Sequence, residues 1–523
     1  MQSPIARTVY DLLHEIAEKT PNAPFAFIGG EKITYRQMAD RSAAVAGRLQ
    51  EDGITRGDVI GLLCNNRIEW LDICFGAAGV GAVLAPFSTW STTSELEFLL
   101  EDAGACTLFT LSKYGRQNFH EGIQELKKAG KLQNLTKIIA LDTHEFDEYL
   151  KGPVLASKPP GDGRSAGDNF VLLYTSGSSS RPKCVPLTHW ASIENGFNIG
   201  ERMGLSGIDR VLISIPLFWS YGAANALIAV LSHGSSMILQ QQFEPAGALD
   251  LIEERRATAL YTLPAMTNAL LAEPSFTPQR TKSLRTGLTI GSPQDIIRAA
   301  NELGANEICN IYGQTESYGN CSVTPHHWPL ERRAHCQGPP LPGVRIRIID
   351  PKTGQPMASD DVGEIQVHGY LTPGYGGQSS IHNDEVFTED GFFRTGDLGS
   401  LNSDGTVSYA GRSSEMIKRS GINVSPAEVE EALQKDEYVG LAGVSGVPDP
   451  DKGEIIVAFV ILRPGTERNA IQLRDHCKQL LSSYKLPDRI FFVSELPLTP
   501  TGKLMRRDLR NLAINAVADG ELS

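Results

Sequence analysis

Strand-like and helix-like segments alternate through most of the chain, and this alternation limits the possible folds more than any other feature. Apolar runs such as Asp58 to Leu63 predict strands, and amphipathic stretches such as Tyr35 to Asp52 predict the helices between them. A repeated strand–helix order is typical of a parallel sheet covered by helices on both faces. The sequence therefore predicts a large N-terminal α/β domain built on parallel sheets.

The pattern changes at about residue 338. Segments 344–350 and 363–369 alternate with glycine-rich turns, which is typical of a small antiparallel unit. Residues 424–523 then form a pattern of their own, in which Ser425 and Pro426 precede a turn rich in glutamate. Acidic residues favour the first turn of a helix. A separate small α+β domain is therefore predicted at the C-terminal end.

Composition excludes several classes of function. The chain has 523 residues with 41% apolar and 21% charged residues, as expected for a globular protein of two or more domains. Its net charge of −13 argues against sequence-independent binding of nucleic acid, which requires clustered Lys and Arg. Neither a signal peptide nor a membrane span is predicted. The 8 cysteines form no CxxC or Cys/His cluster, which predicts free thiols in the cytoplasm and no zinc site.

One loop is unusually rich in glycine and hydroxyl residues. It lies within residues 172–189, LLYTSGSSSRPKCVPLTH, between two predicted strands. Such a loop can direct several N–H and O–H groups at one anion, and Lys183 can add a positive charge. A flexible Ser/Gly linker is the alternative on these residues alone. The loop lacks the Walker pattern of P-loop proteins.

Several predicted strands end in Gly, Pro or hydroxyl residues. The strand from Thr286 stops near Gly291, and the strand from Ile308 runs into Tyr312 and Gly313. Ligands of open α/β sheets bind beyond the carboxyl ends of the strands. A ligand site is therefore predicted at this edge.

Six segments taken together resemble the acyl-adenylate-forming (AMP-binding) superfamily, and in particular its acyl-CoA synthetases for aryl and fatty acids. They occur in the order found in that family and span nearly the whole chain. The segments are residues 174–189, 312–316 (YGQTE), 363–369 (GEIQVHG), 393–398 (FRTGDL), 411–431 (GRSSEMIKRSGINVSPAEVEE) and 497–509 (PLTPTGKLMRRDL). In this order they make the linker alternative untenable.

The resemblance implies a two-step reaction that uses ATP, Mg²⁺ and coenzyme A. A carboxylate attacks the α-phosphate of ATP to give acyl-AMP and pyrophosphate, and a thiol then displaces AMP. Because two anions must meet, such a site needs positive charge, a metal ion and oriented donors. The protein's main task is to position the reactants.

By the same resemblance, the chain supplies a set of ATP-binding residues. Thr315 is expected to donate to the α-phosphate, Glu316 to hold Mg²⁺, and Tyr312 to stack on adenine. Asp397 is expected to accept from the ribose hydroxyls, with Arg412 near the ribose or phosphate. The phosphate-binding and neighbouring nucleotide-binding residues are Thr175, Ser176, Gly177, Ser178, Ser179, Lys183, Gly291 and Gly313.

The resemblance also implies a rotating C-terminal domain. It divides the chain into an adenylation core of residues 1–411, a hinge of residues 412–414 centred on Ser414, and a small mobile domain of residues 415–523. One face would present Lys503, which bridges the carboxylate and the α-phosphate. The other would present Lys418 to Gly421, which line the coenzyme A channel. Hinge motion about a few residues is a common form of such switching.

Two residues depart from the family pattern. Ser180 and Cys184 stand where relatives usually have glycine, which permits positive φ angles and a close approach of the backbone. Ser180 therefore puts the affinity for pyrophosphate in doubt, and Cys184 is interpreted as a small buried residue. A catalytically silent relative that senses nucleotides or acyl groups is one alternative. The retained Glu316, Asp397 and Lys503 argue against it.

Residues 216–222, PLFWSYG, fall where the family builds its acyl pocket. No acidic residue is present to pair with an amino group, so an α-amino acid substrate is not expected. Trp219 and Tyr221, with room left by Gly291 and Gly313, predict a slot for an aryl or other apolar acid. Burial of both aromatic residues in an ordinary core is the alternative, and it stays open.

The acyl acceptor must come from outside the chain. Coenzyme A is the first choice. A separate carrier protein or a small amine is the second, which would make the chain a stand-alone adenylating ligase. The other predicted partner is a small-molecule carboxylic acid, and the oligomeric state stays open, with a homodimer as one option.

Overall fold

The computed structural model divides the chain into two compact units. Unit 1 comprises residues Met1–Thr262, Thr267–Arg345 and Val367–Phe393, and unit 2 comprises Leu263–Met266, Ile346–Gln366 and Arg394–Ser523. The residues that the structure describes are 3–153, 164–175, 182–419, 422–449, 452–481, 483–499, 502 and 504–518.

The helices include the amphipathic one predicted from Tyr35. They are α1 Val9–Lys19, α2 Tyr35–Glu51, α3 Ile68–Val80, α4 Thr93–Ala103, α5 Phe119–Lys128, α6 His144–Asp147, α7 His189–Met203, α8 Leu227–Ser232, α9 Pro245–Arg255, α10 Pro264–Ala272, α11 Pro293–Asn301, α12 Leu330–Ala334, α13 Asn383–Val386, α14 Pro426–Gln434, α15 Ala470–Leu480 and α16 Arg506–Ala518.

The strands include the one predicted at Asp58 to Leu63, and several strands follow one another without a helix between them. They are β1 Pro24–Ile28, β2 Glu31–Thr34, β3 Val59–Leu63, β4 Val83–Pro86, β5 Ala105–Thr110, β6 Lys137–Ala140, β7 Asn169–Thr175, β8 Lys183–Thr188, β9 Arg210–Ile213, β10 Ser236–Leu239, β11 Ala259–Tyr261, β12 Thr286–Thr289, β13 Cys309–Tyr312, β14 Ser322–Val323, β15 Arg345–Ile349, β16 Gly363–His368, β17 Phe393–Leu401, β18 Val407–Arg412, β19 Ile417–Arg419, β20 Ile422–Val424, β21 Val439–Asp449, β22 Gly453–Leu462 and β23 Arg489–Phe492.

Unit 1 contains two mainly parallel sheets. The 8-stranded sheet has the order β14-β13-β12-β11-β9-β10-β1-β2, and the 6-stranded sheet has the order β6-β5-β3-β4-β7-β8. Their central pairs are parallel, whereas β1–β2, β13–β14 and β7–β8 are antiparallel. The predicted parallel α/β architecture is confirmed.

Helix α3 explains why the apolar, glycine-rich stretch after Ile68 is core. The helix is apolar apart from two acidic residues, and Trp70 and Phe75 are fully buried. A Cβ atom at Gly76 would lie 2.5 Å from Cγ1 of Val45 in α2. Glycine at this position therefore lets α2 and α3 approach closely. Because α3 is buried on every face, it has no polar stripe toward solvent. Within the described residues, no helix is long and apolar enough to cross a membrane.

The helix that follows the PLFWSYG segment begins irregularly. Residues Tyr221–Ala226 form a π-helical turn, which continues into α8. A Cβ atom at Gly222 would lie 2.3 Å from the carbonyl oxygen of Pro216, so only glycine fits where the turn meets the preceding segment. Single π-turns occur frequently at functional sites.

A buried histidine joins α1 to α7 and makes stability depend on pH. His189 Nδ1 accepts a hydrogen bond from the backbone N–H of Val9 at 3.2 Å. Burial lowers the pKa of His189 from 6.5 to about 4, and the negative charge of Asp168 opposes this shift only in part.

The lowered pKa of His189 predicts a loss of stability in weak acid. Between the unfolded and folded pKa values, the unfolded chain binds the extra proton, so the free energy of unfolding falls as pH falls. The loss reaches about 3 kcal/mol from this residue alone. Urea unfolding between about pH 7 and pH 4.5 measures it. The variant His189→Gln should show a flatter dependence, and identical pH profiles for the two proteins would contradict the assignment.

Unit 2 contains the small antiparallel sheet and a compact C-terminal part. The 4-stranded sheet has the order β15-β16-β17-β18, and the 5-stranded sheet combines antiparallel β19 to β22 with β23. Helix α14 begins as predicted, because the Ser425 hydroxyl accepts from the N–H of Glu428. Arg506 pairs with the buried Glu430, with Nη2 and Oε2 2.9 Å apart. The predicted fold class is confirmed in both units.

Candidate active site

The predicted phosphate loop joins two antiparallel strands. Thr175 ends β7, Lys183 begins β8, and the two residues are direct partners across the hairpin. Ser176, Gly177, Ser178, Ser179 and Ser180 lie outside the described residues. The described hairpin therefore places Thr175 and Lys183 side by side at the base of the loop.

Lys183 is linked to Glu316 through an aromatic residue. The Lys183 Nζ atom lies 4.7 Å from the centre of the Tyr375 ring, close enough for a cation–π interaction. The Tyr375 hydroxyl donates to Oε1 of Glu316 at 2.8 Å. The cation of the phosphate loop and the predicted metal-binding carboxylate therefore share one neighbour.

Thr372 connects Glu316 to strand β8. The N–H of Thr372 donates to the backbone carbonyl of Glu316 at 2.8 Å, and the Thr372 hydroxyl donates to the backbone carbonyl of Pro186 in β8 at 2.7 Å. Thr372 and Tyr375 were not predicted from the sequence as residues of the site. The one available signal was the sequence LTPGYGG, in which an aromatic residue stands among turn residues.

Cys184 is a buried structural residue. The residue is 1% exposed, and burial raises the pKa of its thiol to about 11. A Cβ atom at Gly376 would lie 3.2 Å from Sγ of Cys184, so the thiol fills the space that this glycine leaves. The departure from glycine at position 184 therefore has a packing explanation, and the thiol is too weakly acidic to react readily.

The predicted α-phosphate donor contacts the predicted acyl pocket. The Thr315 hydroxyl donates to Oγ of Ser220 at 3.0 Å, which joins the YGQTE segment to PLFWSYG. Tyr312 ends β13 and is 6% exposed. A Cβ atom at Gly313 would lie 2.5 Å from Cα of Asn320, so this glycine makes room for the chain's own backbone.

Aromatic rings line the start of the predicted acyl pocket. Trp219 is partly exposed and meets Trp90 edge-on, with ring centres 5.3 Å apart. Trp90 also meets Phe218, at 5.4 Å. Tyr221 meets the buried Tyr261 at 5.0 Å. Trp90 comes from a distant part of the chain, and no local pattern indicated it.

Gly291 follows β12 and precedes the cap of α11. It is exposed and has a φ angle of +135°, which favours glycine. The Ser292 hydroxyl caps α11 by accepting from the N–H of Asp295. Gly291 therefore lies at the carboxyl end of a parallel strand, as the sequence predicts.

In unit 2, Asp397 and Arg412 form an ion pair. They are direct partners in strands β17 and β18, and Nε of Arg412 lies 3.2 Å from Oδ1 of Asp397. The Asp397 side chain is 4% exposed and that of Arg412 is 41% exposed. The N–H of Asp397 donates to the Thr395 hydroxyl at 3.0 Å, which fixes the turn. A carboxylate in this setting keeps acceptor capacity for a second partner.

The pair predicts a nucleotide-binding defect in Asp397→Asn. If Asp397 accepts from the ribose, the variant should raise the KM for ATP about tenfold or more, because a hydrogen bond to a charged group contributes about 1.5–3 kcal/mol. Initial rates at varied ATP measure this effect. Asp404→Asn, in the turn of the same hairpin, is the matched control. An unchanged KM in Asp397→Asn, with thermal unfolding like that of the control, would contradict the assignment.

Four further residues of unit 2 are predicted to take part in the reaction or in the hinge: Lys418, Ser414, Gly421 and Lys503. Lys418 is exposed in β19, and its N–H donates to Oε2 of Glu454 at 2.6 Å. Ser414 lies in the 3₁₀ turn Ser413–Glu415. Gly421 and Lys503 lie outside the described residues.

Glu316 fits the requirement of a magnesium ion that binds with a nucleotide. Mg²⁺ usually takes one or two protein carboxylates and completes its shell with phosphates and water. Glu316 is a single carboxylate, 7% exposed and oriented by Tyr375. The described residues contain no group of three His, Cys, Asp or Glu that could hold a metal by themselves.

The parallel sheets, the phosphate hairpin and the Thr315–Glu316 turn define an adenylate-forming enzyme. The chain belongs to the AMP-binding enzyme family, whose main part matches residues 13–375, and its C-terminal domain matches residues 428–503. The predicted resemblance is confirmed.

Named relatives extend over the same length. The putative acyl-CoA synthetase YngI of Bacillus subtilis is 30% identical, over 98% of both chains. ATP-bound MatB from Rhodopseudomonas palustris has a TM-score of 0.86 at 26% identity and covers 97% of this chain and 99% of its own. The anthranilate CoA ligase AuaEII in complex with anthranoyl-AMP has a TM-score of 0.87 at 26% identity, over 98% and 99%.

These comparisons confirm the predicted class of reaction. The chain is an AMP-forming acid–thiol ligase that activates a carboxylic acid as acyl-AMP and transfers it to coenzyme A, with ATP and Mg²⁺. Its partners include a small-molecule acid and coenzyme A.

Proposed function

We propose that the acid is apolar in its main body, with an aryl acid as the first choice. The observation that carries this proposal is the edge-to-face group of Trp90, Phe218 and Trp219. The residue after Trp219, Ser220, accepts a hydrogen bond from Thr315, so the aromatic group adjoins the predicted α-phosphate donor. Aromatic side chains favour flat apolar partners through edge and face contacts.

The first group of proposed residue roles concerns the binding of ATP. Lys183 and the loop that begins at Thr175 hold the β- and γ-phosphates, and Tyr312 stacks on adenine. Asp397 accepts from the ribose hydroxyls, with Arg412 beside it. Mg²⁺, held by Glu316, neutralises phosphate charge when it is bound.

The reacting groups are proposed to be oriented by two residues. Thr315 donates to the α-phosphate, and Lys503 neutralises the charge that builds up as the carboxylate oxygen bonds to phosphorus and pyrophosphate leaves. Such stabilisation is generally the largest contribution that a site makes. The thiol of coenzyme A then attacks the acyl carbon along a channel lined by Lys418 to Gly421, and AMP leaves.

The proposed domain boundaries follow the same roles. An adenylation core of residues 1–411 and a mobile domain of residues 415–523 meet at a hinge of residues 412–414. The turn Ser413–Glu415 between β18 and β19 supports a hinge near Ser414. A cytoplasmic location is proposed on the 8 free cysteines, 7 of which are buried.

Mass spectrometry of the reaction products tests the proposal. The protein is incubated with ATP, Mg²⁺, coenzyme A and a panel of aryl, fatty and dicarboxylic acids. Thioesters of aryl or other apolar acids are the expected products. Acyl-AMP without thioester would indicate that the acyl acceptor is a carrier protein or an amine and not coenzyme A. A preference for dicarboxylic acids would contradict the apolar slot, and no product with any acid would favour a nucleotide sensor.

A further inference from the structure

Several buried polar atoms close to Ser220 have no hydrogen-bond partner among the described residues. Asn195, Asn225 and Asn320 are 0% exposed. The unpartnered atoms are Oη of Tyr221, Nδ2 of Asn225, both side-chain atoms of Asn320 and Oδ1 of Asn195. We name these four residues the amide–phenol cluster. Buried polar groups are nearly always paired, so each unpaired one requires an explanation.

The contacts of these residues join them into one site. The Tyr261 hydroxyl donates to Oδ1 of Asn225 at 2.8 Å, and the Tyr261 ring lies 5.0 Å from the Tyr221 ring. Nδ2 of Asn195 donates to the backbone carbonyl of Asn320 at 3.1 Å. A Cβ atom at Gly319 would lie 3.3 Å from Nδ2 of Asn225. The backbone next to Asn320 therefore lies against Asn225.

Three members of the cluster belong to the two segments that carry the proposed chemistry, and the fourth, Asn195, lies on α7. Tyr221 and Asn225 lie on the π-turn that follows Ser220, whereas Asn320 follows the turn that contains Thr315. The Thr315–Ser220 hydrogen bond ties these segments together. A π-turn changes the direction of the side chains that follow it, and it is a common device at functional sites. The unpaired atoms of Tyr221, Asn225 and Asn320 thus belong to the segments that carry the proposed acyl pocket and the proposed α-phosphate donor.

The chemistry of the cluster indicates what would pair with it. Its members are neutral, and they offer amide N–H donors, amide carbonyl acceptors and one phenol. A second carboxylate or an ammonium group would be buried there without an opposite charge, which is costly. A hydroxyl group can both accept from an amide N–H and donate to an amide carbonyl, and these are the kinds of group that Asn225 and Asn320 leave unpaired.

We propose that the acid carries a hydroxyl group on its tail, which the amide–phenol cluster binds while the aromatic rings hold its apolar body. The inference rests on the proposed function and narrows its substrate class to hydroxylated acids. The hydroxyl is recognised before the carboxylate reacts and is not itself transformed. Tyr221, Asn225 and Asn320 are therefore specificity-determining residues.

Matched pairs of acids test the inference. The probes are 4-hydroxybenzoate and benzoate, 4-hydroxycinnamate and cinnamate, and 8-hydroxyoctanoate and octanoate, each measured by pyrophosphate release. For at least one pair, kcat/KM should favour the hydroxylated acid by roughly a hundredfold or more, because a site built for a hydroxyl leaves its own groups unpaired against the analogue. Equal values, or higher values for the deoxy acid, in every active pair would overturn the inference.

The variant Tyr221→Phe separates ligand binding from packing. It should lower the ratio of hydroxylated to deoxy kcat/KM by about tenfold and raise the melting temperature, since it removes an unpaired buried hydroxyl. Tyr10→Phe is the matched control, because the Tyr10 hydroxyl is also buried and unpartnered but lies on α1. A lower melting temperature with an unchanged ratio would mean that the Tyr221 hydroxyl binds buried water, and it would overturn its assigned role.

A second variant pair tests the amide. Asn225→Leu removes the oxygen partner of the Tyr261 hydroxyl, which keeps only its contact with Sδ of Met203. The change is therefore combined with Tyr261→Phe and compared with Tyr261→Phe alone. Only the double variant should lose the preference for the hydroxylated acid. Deoxy acids converted efficiently by the wild type, without any preference, would overturn the inference and leave the proposed function standing. No pyrophosphate release with any acid would overturn both.

Discussion

Replacing Lys503 by alanine is expected to lower the rate of acyl-AMP formation by about a hundred- to a thousandfold, the usual loss when one preorganised donor to a developing anion is removed. The reaction brings a carboxylate against a triphosphate, and Lys503 is the proposed cation between them. Single-turnover measurement of acyl-AMP from ATP and acid gives this rate directly. The expected loss is in the rate of the chemical step.

The same variant should retain thioester formation when acyl-AMP is supplied with coenzyme A, because the second step is assigned to the face that carries Lys418. Lys478→Ala is the matched control, since Lys478 is an exposed lysine of the same unit that pairs with Asp475. Equal losses in both half-reactions of Lys503→Ala would contradict the division of the C-terminal domain into two functional faces.

Glu316→Gln is the second change with a large expected effect. The amide keeps the size of the side chain and can still accept from Tyr375, but it removes the negative charge that Mg²⁺ requires. We expect kcat/KM for ATP to fall by about a hundredfold or more, as in other sites that lose one electrostatic group. Initial rates over a range of Mg²⁺ concentrations should also show a higher half-saturating concentration.

Two control variants separate the effect of the Glu316 charge from other effects of the substitution. Tyr375→Phe removes one hydrogen bond to Glu316 and should cost much less, since the carboxylate remains. Glu331→Gln changes an exposed glutamate of α12 and should leave the rates unchanged. If Glu316→Gln kept wild-type dependence on Mg²⁺, the carboxylate would have no part in holding the metal.

The secondary-structure elements that could be predicted are those that a short stretch of sequence indicates by itself. The strand–helix alternation located the parallel sheets, and the apolar run that ends at Leu63 located β3. The hydroxyl-rich loop was correctly placed between two strands, because Phe170 to Leu173 and Val185 to Leu187 are continuous apolar runs. The start of α14 followed from Ser425 and the acidic turn after it.

The parts that the sequence did not predict depend on contacts between distant segments. Tyr375 and Trp90 reach the candidate site from segments that show no motif, so only the folded chain brings them there. The π-turn after Ser220 depends on the fit of Gly222 against Pro216, which no periodicity reports. The amide–phenol cluster could not be predicted for the same reason, because its members come from α7, the π-turn and the segment after Thr315, and a single asparagine or tyrosine carries no distinguishing local signal.

The central claim is that the acid is activated by direct attack of its carboxylate on the α-phosphate. Transfer of oxygen-18 from a doubly labelled carboxylate tests this claim most directly, with a converted acid, ATP, Mg²⁺ and coenzyme A. If acyl-AMP forms and the thiol displaces AMP at the acyl carbon, one labelled oxygen must appear in AMP and the other must remain in the thioester. Label in inorganic phosphate would contradict direct attack of the carboxylate on the α-phosphate. Unlabelled AMP formed together with the thioester would contradict it as well.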